Sequence, residues 1–236
     1  MATKLDRRII IAFDFSELDL ALALMDKLDP TVCRIKIGKE MFTRFGPVIV
    51  HQAHQRNFDV FLDLKFHDIP VTVAKACKAA VELGVWMINV HAIGGAAMLA
   101  AAREAVPLDS DTRLIAVTIL TSMDAIQLKG LGILETPLEM VKRLSMLAKN
   151  IRIDGVVCSA QEARHIRKII SEDFLLVTPG IRPIGCKQDD QHRIMTPQEA
   201  LVAGSDYLVI GRPITQAQDP YKALLEIQAD LQSLQF

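Results

Sequence analysis

Asp63-Leu64-Lys65-Phe66-His67-Asp68 sets two acids and an amine close together inside an otherwise apolar stretch. If Val60–Lys65 is a strand, Asp63 and Lys65 share one side while Leu62 and Leu64 face the other. Asp68 lies beyond the strand, where Ile69-Pro70 opens the next helix. Lys36, near the end of another apolar run, would join them from the neighbouring strand. Ammonium and carboxylate groups alternating in a poorly solvated cavity can stabilise developing charge and move a proton. D-x-K-x-x-D alone is weak. With each type near about 6 % of positions, roughly one chain in twenty of this length carries it by chance. The plain alternative is an exposed cluster at a strand end, worth little energetically. Charges are expensive to bury unless paired, so position in the fold decides between the two.

A second set of residues suits an anion. Thr178-Pro179-Gly180-Ile181-Arg182-Pro183 and Val209-Ile210-Gly211-Arg212-Pro213-Ile214 each follow an apolar run with glycine and then arginine. Gly211 would let backbone approach a phosphate, and Arg212 could bond its oxygens bidentately. The polar stretch Ile184–Arg193 between them reads as a lid or as a solvated loop. The histidines say less. His51 and His54 fall on a helix without an HExxH pattern, His67 should point away from Lys65, and His91 could face either way. No metal site is expected.

Eight short apolar runs would position these groups: Ile9–Phe15, Cys33–Gly38, Val60–Lys65, Met87–Ala92, Leu114–Leu120, Gly155–Ser159, Leu175–Pro179 and Tyr207–Gly211. Helical spacing lies between them, as in Leu18–Leu28, Val71–Leu83, Pro137–Asn150 and Gln161–Ile170. Ser16 is a natural start for the first of these, and Thr136 before Pro137 a natural cap for the third. This alternation implies parallel strands joined by helical crossovers. The 236 residues are expected to form a single α/β domain, a (β/α)8 TIM barrel. An open doubly wound sheet is the alternative, but Phe13-Asp14-Phe15 stands where its G-x-G-x-x-G turn would be. Barrel chemistry gathers at the carboxyl ends of strands. Those positions hold Asp14, Lys36, Asp63 with Lys65, Asn89 with His91, Thr118 with Thr121, Ser159, Arg182 and Arg212.

Composition excludes some classes. A net charge of -1 speaks against nucleic acid or an anionic membrane as the main partner. No run is apolar enough to span a bilayer, and Met1–Arg8 lacks the pattern of a secretion signal, so a cytoplasmic protein is expected. Cys33, Cys77, Cys158 and Cys186 are far apart, as buried thiols in a reducing compartment would be.

Together these segments resemble the orotidine 5′-monophosphate decarboxylase family in its short bacterial form. The likeness runs through Phe13-Asp14, Lys36-Ile37-Gly38, Asp63–Pro70, Leu120-Thr121-Ser122-Met123, Thr178–Pro183 and Val209–Pro213. It implies a barrel of the ribulose-phosphate-binding type that turns orotidine monophosphate into UMP with neither metal nor organic cofactor. Lys65 would donate the proton to C6. Lys36, Asp63 and Asp68 would complete the charged array, with Asp14 and Lys36 also near the ribose. Asp68 and Thr72 would reach into the partner's active site in a homodimer. Thr121 would lie near the base, with Ser122 a neighbour, while Arg182, Gln191, Gly211 and Arg212 would hold the phosphate. Related sugar-phosphate decarboxylases and hexulose-phosphate synthases resemble one another in a magnesium-binding glutamate on strand two. Lys36 replaces it here, and an ammonium would repel the ion. A non-catalytic nucleotide-phosphate-binding barrel is a further alternative, but it would need no alternating charges.

Overall fold

The computed structural model describes residues 7–171, 173–183 and 194–233. Eight parallel strands close on one another in sequence order: β1 (Ile9–Phe13), β2 (Arg34–Gly38), β3 (Val60–Phe66), β4 (Met87–His91), β5 (Arg113–Val117), β6 (Gly155–Val157), β7 (Leu175–Thr178) and β8 (Tyr207–Ile210). Closure comes from β1 pairing both β2 and β8, with Ile11 opposite Ile35 on one side and Ile210 on the other. The chain is thus a (β/α)8 barrel, not an open sheet.

Alternation along each strand divides the core into two shells. Ile9, Ile11, Ile35, Ile37, Leu62, Ile88 and Val90 pack outward against the helices. Ile10, Ala12, Phe61, Met87, Ile115, Val177 and Val209 fill the barrel axis. Strands buried on both faces must be apolar on both, which is why they read as continuous runs. At the amino end of the barrel Trp86 and Tyr207 meet edge to face, centroids 5.1 Å apart. The Arg34 guanidinium lies 4.1 Å over the indole and pairs with Asp59 at 3.2 Å.

Several strands end sooner than their apolar runs. β1 stops before Asp14, β5 before Thr118, β6 before Cys158 and β7 before Pro179, so these residues enter the loops at the carboxyl mouth. β3 is longer by one residue, reaching Phe66. The helices used below are α1 (Leu18–Met25), α2 (Lys39–Phe45), α3 (Val48–Gln55), α4 (Pro70–Glu82), α5 (Gly95–Ala105), α6 (Ala125–Gly130), α7 (Pro137–Asn150) and α8 (Ala160–Arg167). The expected cap of α7 forms as a full capping box, Thr136 with Glu139. Ser16 does not cap α1. The chain still bends at Ser16-Glu17, which puts Glu17 at the N-cap and Asp19 in the first turn. Ser159, on the expected rim, instead caps α8 with Glu162. Cys33, Cys77 and Cys158 are buried thiols outside any disulfide, and burial pushes Cys33 and Cys77 up to about 12. Among the described residues no helix is long and apolar enough to cross a membrane.

Candidate active site

A cavity of about 600 Å³ opens at the carboxyl mouth, within the usual range for small-molecule sites. Its wall contains Asp14, Lys36, Asp63, Lys65, Thr121, Arg182, Gly211 and Arg212. β2 and β3 deliver the charges. Lys36 and Asp63 are nearly buried, 9 % and 7 % exposed. Lys65 Nζ donates to Asp63 Oδ1 at 2.6 Å, and Lys36 Nζ stands 3.4 Å from both Asp63 Oδ2 and Asp14 Oδ1. The order Asp14, Lys36, Asp63, Lys65 alternates in sign. Gly38 makes room for it: a Cβ there would lie 3.2 Å from Asp14 Oδ1 and 3.3 Å from Lys36 Nζ.

Burial by itself would raise the Asp63 carboxyl. The ammonium groups of Lys36 and Lys65, with hydrogen bonds from Lys65 and Asn89, outweigh it and hold Asp63 below the usual carboxylate range. Asp63 is therefore an anion held between two cations. It is the centre of the array, not an exposed cluster at a strand end.

Lys65 arrives by a route that strand alternation does not describe. Its φ is +51°, left-handed for a side chain that gains nothing there. The β3–β4 ladder is broken at the same place. Leu62 pairs with Ile88 and Phe66 with Val90, so Asp63, Leu64 and Lys65 face Asn89 alone. Asn89, fully buried, accepts from the Lys65 N–H and donates to Asp63 Oδ1, both at 2.7 Å. The sequence set Asn89 on the rim without giving it work to do, because the register opposite a bulge is not written in either strand.

The other face of the cavity is cationic. β3 and β7 stand opposite in a ring of eight, so Arg182 after β7 lies across from Asp63 and Lys65, while Arg212 follows β8, beside β1. Arg182 is 7 % exposed and donates to its neighbour's carbonyl, Ile181 O, at 3.0 Å. Among the described residues it meets no carboxylate. Arg212 begins the short helical turn Arg212–Thr215, with Gly211 at its N-cap. Among the described residues a Cβ on Gly211 would meet only Ala12, at 3.5 Å, an ordinary contact, so their packing does not demand glycine there. Gln191 and the rest of the expected lid lie outside the described residues, as does Cys186.

Asp68 and Thr72 are exposed and do not line this chain's own cavity. Asp68 Oδ1 accepts from the Ile69 N–H at 2.7 Å at the start of α4. Beside them Ile69 and Val71 are 62 % and 55 % exposed. Ser122 is exposed outside the cavity, and Thr121 is in its wall. His67 is exposed and does not line the cavity, and its ring meets His91 at 5.5 Å. That leaves His91 outside the cavity, where burial first, then His67, Lys39 and Lys65, push it down to about 4. His51 and His54 lie on α3.

The family model described as "Orotidine 5'-phosphate decarboxylase / HUMPS family" matches residues 7–227. A Vibrio cholerae orotidine 5'-phosphate decarboxylase is 58 % identical over 228 residues, covering 96 % of this chain and 99 % of the relative. One from Escherichia coli is 56 % identical over 226 residues, covering 95 % and 92 %. Among solved structures, the Lactobacillus acidophilus orotidine 5'-phosphate decarboxylase superposes with a TM-score of 0.85 at 36 % identity, covering 96 % of this chain and 99 % of that one.

Proposed function

Because the chain belongs to the orotidine 5'-phosphate decarboxylase / HUMPS family, we propose that it decarboxylates orotidine 5'-monophosphate to UMP at the cavity built around Asp63. The observation that carries this reading is a buried anion clamped between Lys36 and Lys65, with Arg182 and Arg212 in the same cavity wall.

The pyrimidine lies with C6 toward Lys65. The bond from C6 to the carboxylate breaks, its electron pair stays on C6 and carbon dioxide leaves. The Lys65 ammonium stabilises that pair and then transfers its proton to C6; solvent later returns a proton to the amine. The acceleration rests on preorganisation, since the ammonium is already aimed and compensated by Asp63 before substrate arrives. Asp63 beside the departing carboxylate adds repulsion in the ground state, a smaller contribution. Lys36 and Asp14 hold the ribose, and Thr121 lies by the base. Arg182, Gly211, Arg212 and Gln191 grip the phosphate, whose binding energy is spent on the reacting end. A side chain at Gly211 would enter the space the phosphate takes.

The reaction needs neither metal nor organic cofactor. In support, the carboxylates of the cavity wall among the described residues, Asp14 and Asp63, are already met by lysine ammonium groups, which oppose a divalent cation. Two copies form a homodimer in which Asp68 and Thr72 complete the partner's site. The exposed Asp68–Thr72 stretch and its apolar Ile69 and Val71 support this. The chain works in the cytoplasm as a single domain.

Purified protein given orotidine monophosphate in excess EDTA is expected to release carbon dioxide and form UMP. Turnover that vanishes on chelation and returns with magnesium would overturn the metal-free reading. No turnover under either condition would overturn the decarboxylase reading. Mixing inactive Lys65→Ala and Asp68→Ala proteins should restore part of the activity through hybrid dimers. No recovery after verified subunit exchange would remove the shared site.

A further inference from the structure

We infer that Asn89 is a positioning residue for the reaction: its buried amide holds Lys65 in its left-handed conformation and Asp63 in its orientation. The inference rests on the decarboxylase reading for its effect on rate, but not for its structural content.

Asn89 makes no contact with the cavity surface, so it acts through others. In a regular parallel ladder the Lys65 N–H would be bonded by backbone of β4. Here three residues of β3 bulge opposite one residue of β4, and that bond is lost. The side-chain carbonyl of Asn89 replaces it, accepting from the Lys65 N–H at 2.7 Å. A left-handed residue with a side chain is strained by about 1–3 kcal/mol and persists only where its surroundings hold it. Asn89 is the group that does so. Its other end donates to Asp63 Oδ1 at 2.7 Å, the same oxygen that takes Lys65 Nζ. Oδ2 is thereby turned toward Lys36. A single amide therefore fixes both members of the reacting pair, one by main chain and one by side chain. The two ends are not interchangeable, since only an acceptor suits an N–H and only a donor suits an anion.

Asn89→Ala and Asn89→Asp separate these functions. In Asn89→Ala, kcat is expected to fall about 10²-fold, the usual scale for misplacing a reacting group. KM and the affinity for UMP should stay within about threefold, because the phosphate grip is untouched. Asn89→Asp is nearly isosteric. It keeps the acceptor but sets a second carboxylate against Asp63, and such a pair readily shares one proton. Its deficit relative to wild type should therefore shrink as pH falls, while that of Asn89→Ala should not change with pH. Hydrogen exchange at the Lys65 amide should be fast in Asn89→Ala and slow in wild type. A kcat within twofold of wild type in Asn89→Ala, or a deficit in Asn89→Asp that ignores pH, would overturn the inference. So would equal loss of UMP affinity and kcat. If wild type fails to turn over orotidine monophosphate, the decarboxylase reading falls instead. The Lys65 amide then decides alone: protection that survives in Asn89→Ala refutes the anchor.

Discussion

Replacing Lys65 tests the chemistry and the backbone geometry in one pair of variants. Both Lys65→Ala and Lys65→Gly remove the ammonium that sits 2.6 Å from Asp63 Oδ1. A positioned general acid contributes about 10²–10⁴ in rate, and a preorganised electrostatic donor about 10²–10³. In the proposed reaction one ammonium serves both roles, so the factors overlap, and a loss of at least about 10⁴ in kcat is expected. At about 1.36 kcal/mol per tenfold, this corresponds to about 5 kcal/mol of barrier. UMP affinity should change little, since the proposed phosphate grip of Arg182 and Arg212 is untouched. The two variants then differ only in backbone freedom at φ +51°. Alanine bears a left-handed strain of about 1–2 kcal/mol, from which glycine is exempt. Glycine loses about 0.5–1 kcal/mol more backbone entropy on folding. Lys65→Gly should therefore be the more stable by up to about 1.5 kcal/mol, or up to about 3–6 °C in melting temperature at this size. Release of carbon dioxide, UMP titration and thermal unfolding measure the three quantities. More than about 1 % residual turnover in Lys65→Ala would refute Lys65 as proton donor. A glycine variant less stable than the alanine one would refute the strained backbone.

Three further outcomes follow from other parts of the molecule. Arg212→Ala should weaken UMP by at least tenfold and leave uridine almost unchanged, as isothermal titration with both ligands would show. Arg103 is 9 % exposed and ties the carbonyls of Val106 and Arg152 to Asp154, whose other oxygen accepts from Leu114 N. Arg103→Ala should destabilise by about 3–5 kcal/mol, the scale for stranding half of a buried pair, with kcat of the folded fraction preserved. For pH, burial pushes folded His91 down to about 4 from the ordinary 6.5 that it keeps when unfolded. Between these values the unfolded chain binds more protons, so stability falls as pH falls through that window. His91→Asn should flatten it. The steep loss below the unfolded carboxylate range should remain, because Asp63, depressed in the fold, stabilises only while ionised. Denaturant midpoints between pH 7 and pH 3 would measure both limbs.

Most of the barrel was legible because buried parallel strands must be apolar on both faces, and the runs at Ile9, Val60, Met87 and Tyr207 mark their starts without ambiguity. Their ends were harder to read. Ile119 is buried outside any strand, so apolarity continued past the point where the ladder of β5 stopped. The charged array was legible as residue types at strand ends, and Lys36, Asp63 and Lys65 meet as that spacing required. The local geometry of Lys65 was not. Nothing about a lysine invites a positive φ, and the bulge that imposes it depends on how β3 and β4 slide against each other. Asn89 was hidden for the same reason. Asp68 and Thr72 are of another kind: both are exposed, so only the family resemblance, not spacing or burial, pointed to a role for them.

The aromatic closure at the amino end has a consequence for traffic. With Arg34, Trp86 and Tyr207 across one end and inner-shell side chains along the axis, the barrel is a cul-de-sac. Substrate, nucleotide product and carbon dioxide all share one doorway. Departure and arrival therefore exclude each other, and bound UMP is expected to compete with substrate, which inhibition kinetics at varied substrate would show.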